Sequence, residues 1–235
     1  MAIIDTSYDT INLEIKSLFI EGNYNKYDRT VPQTRWPCNS CKGYGCKKCN
    51  GIGQLYPDSV QSLVAEPFIE ATSCKEDLFH GMGREDIDAA MLGSGRPFVI
   101  ELRMPKFRNL DLNMIENQIN KKNESRIKVT NLKFVERSRV PELKNTVCDK
   151  TYRVDVSVFR EDSIESLKKG AQRLTGTVIE QRTPMRVSHR RADLVRPRLI
   201  TSIDVTSFEG NMAEMVIRAQ PVSYTHLTLP TTPYV

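Results

Sequence analysis

No apolar run in the 235-residue sequence approaches the roughly 20 residues that a membrane helix needs. The opening MAIIDTSYDT lacks the basic and then apolar zones of a secretory signal. A cytoplasmic protein without a membrane partner is therefore expected, and no obligate protein partner is evident. Two nucleotide-binding signatures are also missing. HGMGREDID has the first spacing of G-x-G-x-x-G at Gly81 and Gly83, but Asp86 stands where the third glycine belongs and would set a carboxylate against a pyrophosphate. GSGRPF is too short for a phosphate-binding loop and has no Lys-Ser/Thr. No internal repeat spans the chain.

What is present suits a globular protein of one or two domains, since 39% hydrophobic residues suffice for a core. The net charge of +5 is mild, but its distribution is uneven. The segment QRTPMRVSHRRADLVRPR carries Arg182, Arg186, Arg190, Arg191, Arg196 and Arg198 against Asp193 alone, so it can neutralise phosphates; the alternative is a solvated basic face.

WPCNSCKGYGCKKCNGIG places Cys38, Cys41, Cys46 and Cys49 in a C-x2-C-x4-C-x2-C pattern. In a reducing compartment two close C-x-x-C pairs read as a tetrahedral site for structural Zn2+, with a redox dithiol as the alternative. Gly43, Gly45, Gly51 and Gly53 supply the positive φ values that such knuckles need. Four thiolates close the coordination sphere, so the site holds structure and can present Lys42, Lys47 and Lys48 to RNA. The twofold C-x-x-C-x-G-x-G resembles half of the cysteine-rich region of DnaJ-type chaperones, whose further repeats and J domain are absent. Cys74 and Cys148 read as small buried hydrophobes.

Periodicity predicts an α+β fold. Ile11, Leu13 and Ile15 alternate as in a strand; PDSVQSLVAEPF predicts a short helix capped by Asp58 or Ser59; RPFVIELRM predicts a strand. Leu112, Ile115 and Ile119 mark a surface helix. Tyr152, Val154, Val156 and Val158 share one face of a strand, and DSIESLKKGAQRL follows as a helix with an Asp162 to Glu165 capping box. RLITSIDVT and NMAEMVIRA, joined at Glu209-Gly210-Asn211, make a hairpin. Strands outnumber helices without regular interleaving, so a mixed, mostly antiparallel sheet with flanking helices is expected.

The last fifteen residues, PVSYTHLTLPTTPYV, switch to Thr and Pro and carry no charged residue except His226. VSYTHLTLPT resembles the translation of a transposon-derived sequencing adapter. Residues 221–235 are expected to be non-native, with the native sequence ending near Gln220.

Four ordered motifs, PQTRWPCNSCKGYGCKKCNGIGQLYP, FHGMGREDIDAAMLGSGRPFVIEL, KTYRVDV and QRTPMRVSHRRADLVRPR, resemble the archaeal-type tRNA pseudouridine synthases that modify uridines 54 and 55 of the TΨC loop. The likeness runs from about Ile11 to Gln220. It implies the pseudouridine synthase catalytic fold, tRNA (TΨC arm and elbow) as partner, and no organic cofactor. Catalytic aspartates of such enzymes sit in a turn like Gly-Arg-Thr-Asp, which corresponds here to Gly83, Arg84, Glu85 and Asp86, so Asp86 is the expected catalytic residue and Asp88 its competitor. Arg84 is expected to bind substrate at phosphate or backbone. Tyr152 is the expected base-stacking tyrosine, with a core aromatic as the alternative. Arg182, Arg186, Arg190 and Arg191 are expected to grip the tRNA elbow.

The resemblance implies that Asp86 acts as nucleophile or as general base on a uridine drawn out of the RNA fold. It also divides the chain into residues 1–33, the tail of a THUMP-containing RNA-binding region; 34–56, the zinc knuckle; 57–220, a catalytic domain cut at its C-terminus; and the tail 221–235. The basic partner of the aspartate falls beyond the cut, so the polypeptide is expected to be weakly active or inactive although its parent is a synthase. A non-catalytic zinc-bearing RNA-binding module and a chaperone-like zinc protein are the alternatives.

Overall fold

Alternation in LFIEGNYNK sets Ile20, Tyr24 and Lys26 on one side of a strand and Glu21 on the other, and this strand organises half of the molecule. The computed structural model describes residues 14–146, 148–158, 163–182 and 193–220. The chain divides into two units, Met1–Thr146 and Val147–Val235.

In the first unit β1 (Leu18–Lys26) is an inner strand. A sheet of order β2-β3-β1-β4 forms with β2 (Glu76–Gly81), β3 (Met91–Arg103) and β4 (Ile127–Val135), all neighbours antiparallel. Among the described residues the first strand begins at Leu18, after Ile15; Ile11 and Leu13 of the expected alternation lie outside the described residues. On the face that carries Ile20 and Tyr24 lie α1 (Val60–Thr72) and α2 (Leu112–Lys122), which bury Val60, Val64, Phe68, Ile115 and Ile119 against Phe98, Ile100 and Val129. The opposite face, where Glu21 points, receives α3 (Arg139–Asn145).

Local signals explain the helix starts. Ser59 accepts from the Ser62 amide and caps α1, and the amides of Val60 and Gln61 donate to Pro32 and Gln33, so the helix start is tied to the preceding loop. α1 continues past the expected end at Phe68 to Thr72, with Pro67 inside it. The glycines of MLGSGRPF sit in a bulge within β3. Asn25 of β1 faces the stretch Leu92–Gly95, Gly93 and Gly95 have φ of +65° and +78°, and Asn25 Nδ2 donates to the carbonyl of Gly93 at 3.1 Å.

In the second unit β5 (Lys150–Ser157), β6 (Val178–Arg182), β7 (Val195–Glu209) and β8 (Met212–Ala219) form an antiparallel sheet of order β5-β8-β7-β6, with α4 (Ile164–Leu174) against β7. β7 and β8 are the expected hairpin, with Gly210 at φ +58° in its turn. Ser163 caps α4 by accepting from the Ser166 amide, while Asp162 of the expected capping box lies outside the described residues. Every strand pairing among the described residues is antiparallel. β2, β4, β6 and α3 were not anticipated from periodicity.

Candidate active-site loop and metal centre

The Gly-Arg-Glu-Asp turn follows β2, and its conformation is dictated from below by side chains of β1 and β3. Glu85 points inward and is buried. Its carboxylate meets the Arg96 guanidinium at 2.9 Å and the Tyr24 hydroxyl at 2.8 and 2.9 Å. Gln33 donates through Nε2 to the Tyr24 oxygen, to Glu85 and to the Gly83 carbonyl, while Arg96 donates to the Met82 carbonyl. Burial, reinforced by the Glu85 charge, holds the Tyr24 phenol well above its usual range, so it remains a donor to that carboxylate.

Lys26 completes the support. Fully buried, it directs Nζ to three carbonyls, of Val31 at 3.0 Å, Asp86 at 3.3 Å and Ile87 at 2.8 Å. Burial lowers its pKa, and the charges of Glu85, Asp88 and Asp28 oppose that shift. All three ammonium hydrogens can be used; one bond fixes the peptide unit after Asp86 and another the peptide unit between Ile87 and Asp88. The Ala89 amide closes the turn on the Asp86 carbonyl. Asp86 is half-buried and Asp88 exposed, and the Lys26 bonds hold the backbone between the two aspartates.

Arg84 leaves the loop sideways and lies over the Trp36 ring, 4.8 Å from its centroid. Trp36 in turn meets Tyr56 edge-on at 5.6 Å. The stack braces the loop against the base of the cysteine knuckle, where Pro37 bridges to Gln54. Arg35 anchors the same base through Asp77, both of whose carboxylate oxygens lie 2.8 Å from the guanidinium.

The knuckle brings all four expected cysteines together. Their sulfur atoms lie within 4.8 Å of one another, with Cys38–Cys46 at 3.9 Å, Cys41–Cys49 at 3.7 Å and Cys46–Cys49 at 3.7 Å. A tetrahedral ion with Zn–S bonds of about 2.3 Å requires edges of about 3.8 Å. The fit is good, and the four cysteines could hold a metal. Backbone amides of Gly45, Cys46 and Gly53 each point at a sulfur at 3.2 Å. At Cys49 burial raises the thiol, but the amides of Cys46 and Gly53 outweigh it and bring the group down to about 6. The halves close on each other through glycine: a Cβ at Gly45 would stand 2.5 Å from the Gly51 carbonyl oxygen, and one at Gly53 would stand 2.3 Å from that of Gly43. The expected positive φ values are observed at all four glycines.

In the second unit Tyr152 lies part-buried on β5 against the small core of Ile200, Ile217 and Ala219. Arg198, grouped by sequence with the phosphate-neutralising arginines, is instead 1% exposed. Burial lowers its pKa, Arg196 adds to that and Tyr152 opposes it, so this cation belongs to the interior beside Tyr152. Arg182 pairs with Asp193, Nε lying 2.9 Å from Oδ1. Arg186, Arg190 and Arg191 lie outside the described residues, as does the tail 221–235. Cys74 packs part-buried on the first core and Cys148 is also part-buried.

Sequence reasoning missed Lys26, Gln33 and Arg96. The only available signal was the apolar-to-polar switch within the core-facing series Ile20, Tyr24, Lys26.

Comparisons with known proteins agree on a relationship. The family described as "Pus10, C-terminal" matches residues 19–226, ending inside the Thr- and Pro-rich tail. The chain is similar to "tRNA pseudouridine synthase Pus10" of Methanothrix thermoacetophila, 45% identical over 216 residues that cover 91% of this chain and 47% of that protein. Its counterpart in Methanocaldococcus jannaschii is 47% identical over 209 residues, 89% of this chain and 46% of that one. The chain spans about half the length of the curated relatives it matches. A chain in the crystal structure of a Cbf5-Nop10-Gar1 complex aligns with a TM-score of 0.46 at 12% identity, over 87% of this chain and 40% of that one.

Proposed function

The chain belongs to the Pus10 family, and from that premise we propose that it is the catalytic portion of an archaeal-type tRNA pseudouridine synthase acting on uridine 54, uridine 55 or both in the TΨC loop. The observation that carries the reading is the loop around Asp86. Buried Lys26, Gln33, Glu85 and Arg96 fix its backbone, while the Asp86 side chain remains half-open. Structural polar networks seldom concentrate under a surface turn unless its geometry matters, and a pre-set carboxylate is what this isomerisation needs.

The reaction breaks the bond from ribose C1′ to uracil N1, turns the base, forms a bond from C1′ to C5, releases the C5 hydrogen as a proton and leaves N1 protonated in its place. It is isomerisation without net redox change, and no organic cofactor is required. Asp86 serves it either by attacking the nucleotide or by removing a ribose proton, and both routes start from the ionised carboxylate. The target nucleotide must leave the RNA stack to reach it. Tyr152 supplies the face on which the base stacks. Arg84, braced on Trp36, borders the same loop and meets the nucleotide backbone. Arg182, Arg186, Arg190 and Arg191 contact the tRNA elbow, Arg182 exchanging Asp193 for a phosphate. Cys38, Cys41, Cys46 and Cys49 hold a Zn2+ whose contribution is to fold the knuckle; no step of the reaction passes through it.

Tritium release from tRNA carrying C5-labelled uridine tests the reading, in a protein completed to the length of its relatives. Asp86→Asn should lower the single-turnover rate at least about a hundredfold with tRNA affinity kept. Transcripts with cytidine at position 54 or 55 assign the site. An undiminished rate in Asp86→Asn refutes the catalytic role.

A further inference from the structure

Between Asp28 and Asp58 the sequence carries no acidic residue, while Arg29, Arg35, Lys42, Lys47 and Lys48 are cations. The two arginines lie at the base of the knuckle or before it, and Arg35 is committed to Asp77. The three lysines lie on the knuckle turns, and all three are exposed. Among them stands Tyr44, 94% exposed. The chain around it is tightly held: the Lys42 amide donates to the Cys38 carbonyl at 2.7 Å and the Tyr44 amide to the Cys41 carbonyl at 3.0 Å. A solvated aromatic ring therefore projects from a fixed backbone between lysines.

Folding does not account for this ring. It contributes nothing to the core, and water gains nothing from its apolar faces. A flat ring with cations on either side offers a stacking surface for an unpaired base and charges for the phosphates that flank it. Charge balance favours the same ligand. A tetrathiolate holding a divalent ion is a net anion, and the three lysines turn the tip positive.

We propose that the knuckle tip is an RNA-binding surface, with Tyr44 stacking on an unpaired base and Lys42, Lys47 and Lys48 contacting adjacent phosphates. The tip belongs to a different element from the Asp86 loop, which the Trp36–Arg84 stack braces at the base of the knuckle. The contact proposed is with nucleotides other than the reacting uridine. The proposal rests on the reading of the chain as an RNA-modifying protein, but it concerns binding and not chemistry.

The test uses the zinc-loaded chain and fluorescence anisotropy with three RNAs: a tRNA transcript, an oligouridine and a duplex without unpaired residues. Tyr44→Ala should weaken binding of tRNA and oligouridine about tenfold, leave the duplex within twofold, and preserve the salt slope. Replacing Lys42, Lys47 and Lys48 together by Ala should reduce the slope of log affinity against log salt by about 2 on oligouridine. Zinc content and the thermal midpoint should match the wild type in both variants, since the substituted side chains are exposed. Oligouridine binding by Tyr44→Ala within twofold of wild type overturns the proposal, as does an equal loss on the duplex. Asp86→Asn separates the two readings: it should bind all three RNAs normally, and retained turnover in that variant would remove the catalytic role while leaving the tip intact.

Discussion

Among the described residues, the two units have apolar clusters of very different size. In the first, fifteen hydrophobic side chains from Ile20 to Val129 form one buried cluster, whereas the cluster in the second consists of Ile200, Ile217 and Ala219 with partly exposed neighbours. Among the described residues the first unit also accommodates five buried charged groups, Glu21, Lys26, Asp77, Glu85 and Arg96, each with partners, against Arg198 in the second. Burying charge is costly even when the geometry is good, and the large apolar core of the first unit offsets what its polar network costs. The larger core thus serves the Asp86 loop indirectly, by making the polar support beneath it tolerable.

That contrast can be broken at Lys26. Lys26→Met keeps the side chain's bulk but strands the carbonyls of Val31, Asp86 and Ile87, and should cost about 3–5 kcal/mol of stability in urea denaturation. Hydrogen exchange should accelerate first at the Ala89 amide, which closes the Asp86 turn. A cost below about 1 kcal/mol would mean that water replaces the ammonium readily and that the loop is not clamped.

A smaller excision should do proportionally more harm to the other unit. Ile217→Ala removes a third of its buried cluster for about 2 kcal/mol, near the low end for isoleucine because the site is shallow. Amides of β5, β7 and β8 should lose protection while those of β1 and β3 keep theirs. Equal loss in both sheets would show that the two units unfold together.

The least effect is expected at the outer face of the first sheet, where the Arg139 guanidinium holds the Glu21 carboxyl below its usual value against the opposing pull of burial, with Lys133 assisting. A depressed carboxylate adds stability above its unfolded pKa and loses it as pH falls through the folded value. Glu21→Gln should therefore destabilise by less than about 1 kcal/mol at pH 7, with the difference shrinking as pH drops below 4.5. A difference that grows on acidification would reverse the assignment.

What could be read from sequence follows from the range of the forces involved. The Ser59 cap, the Gly210 turn and the paired C-x-x-C turns arise from residues within a few positions of each other, and all were legible. β4 carries an alternation at Ile127 and Val129, but Asn131 adopts φ +62° and interrupts the pattern. β2 reads as polar because Glu76 and Asp77 open it; Asp77 is buried only because Arg35 and Gln61 reach it. The aspartate turn was found by motif, but its mechanics were not. Lys26 reaches carbonyls some sixty positions away, and nothing in the spacing of one strand announces such a bond. Arg198 was misgrouped for a related reason, since six arginines in one segment look alike until a sheet buries one of them.

The crossed glycine contacts of the cysteine knuckle bear on how that element comes into being. Each half leans its carbonyl on the bare α-carbon of the other, so the two turns reach their final packing only together. Ion capture and chain ordering should consequently advance as one concerted event, leaving no half-assembled species to accumulate during titration.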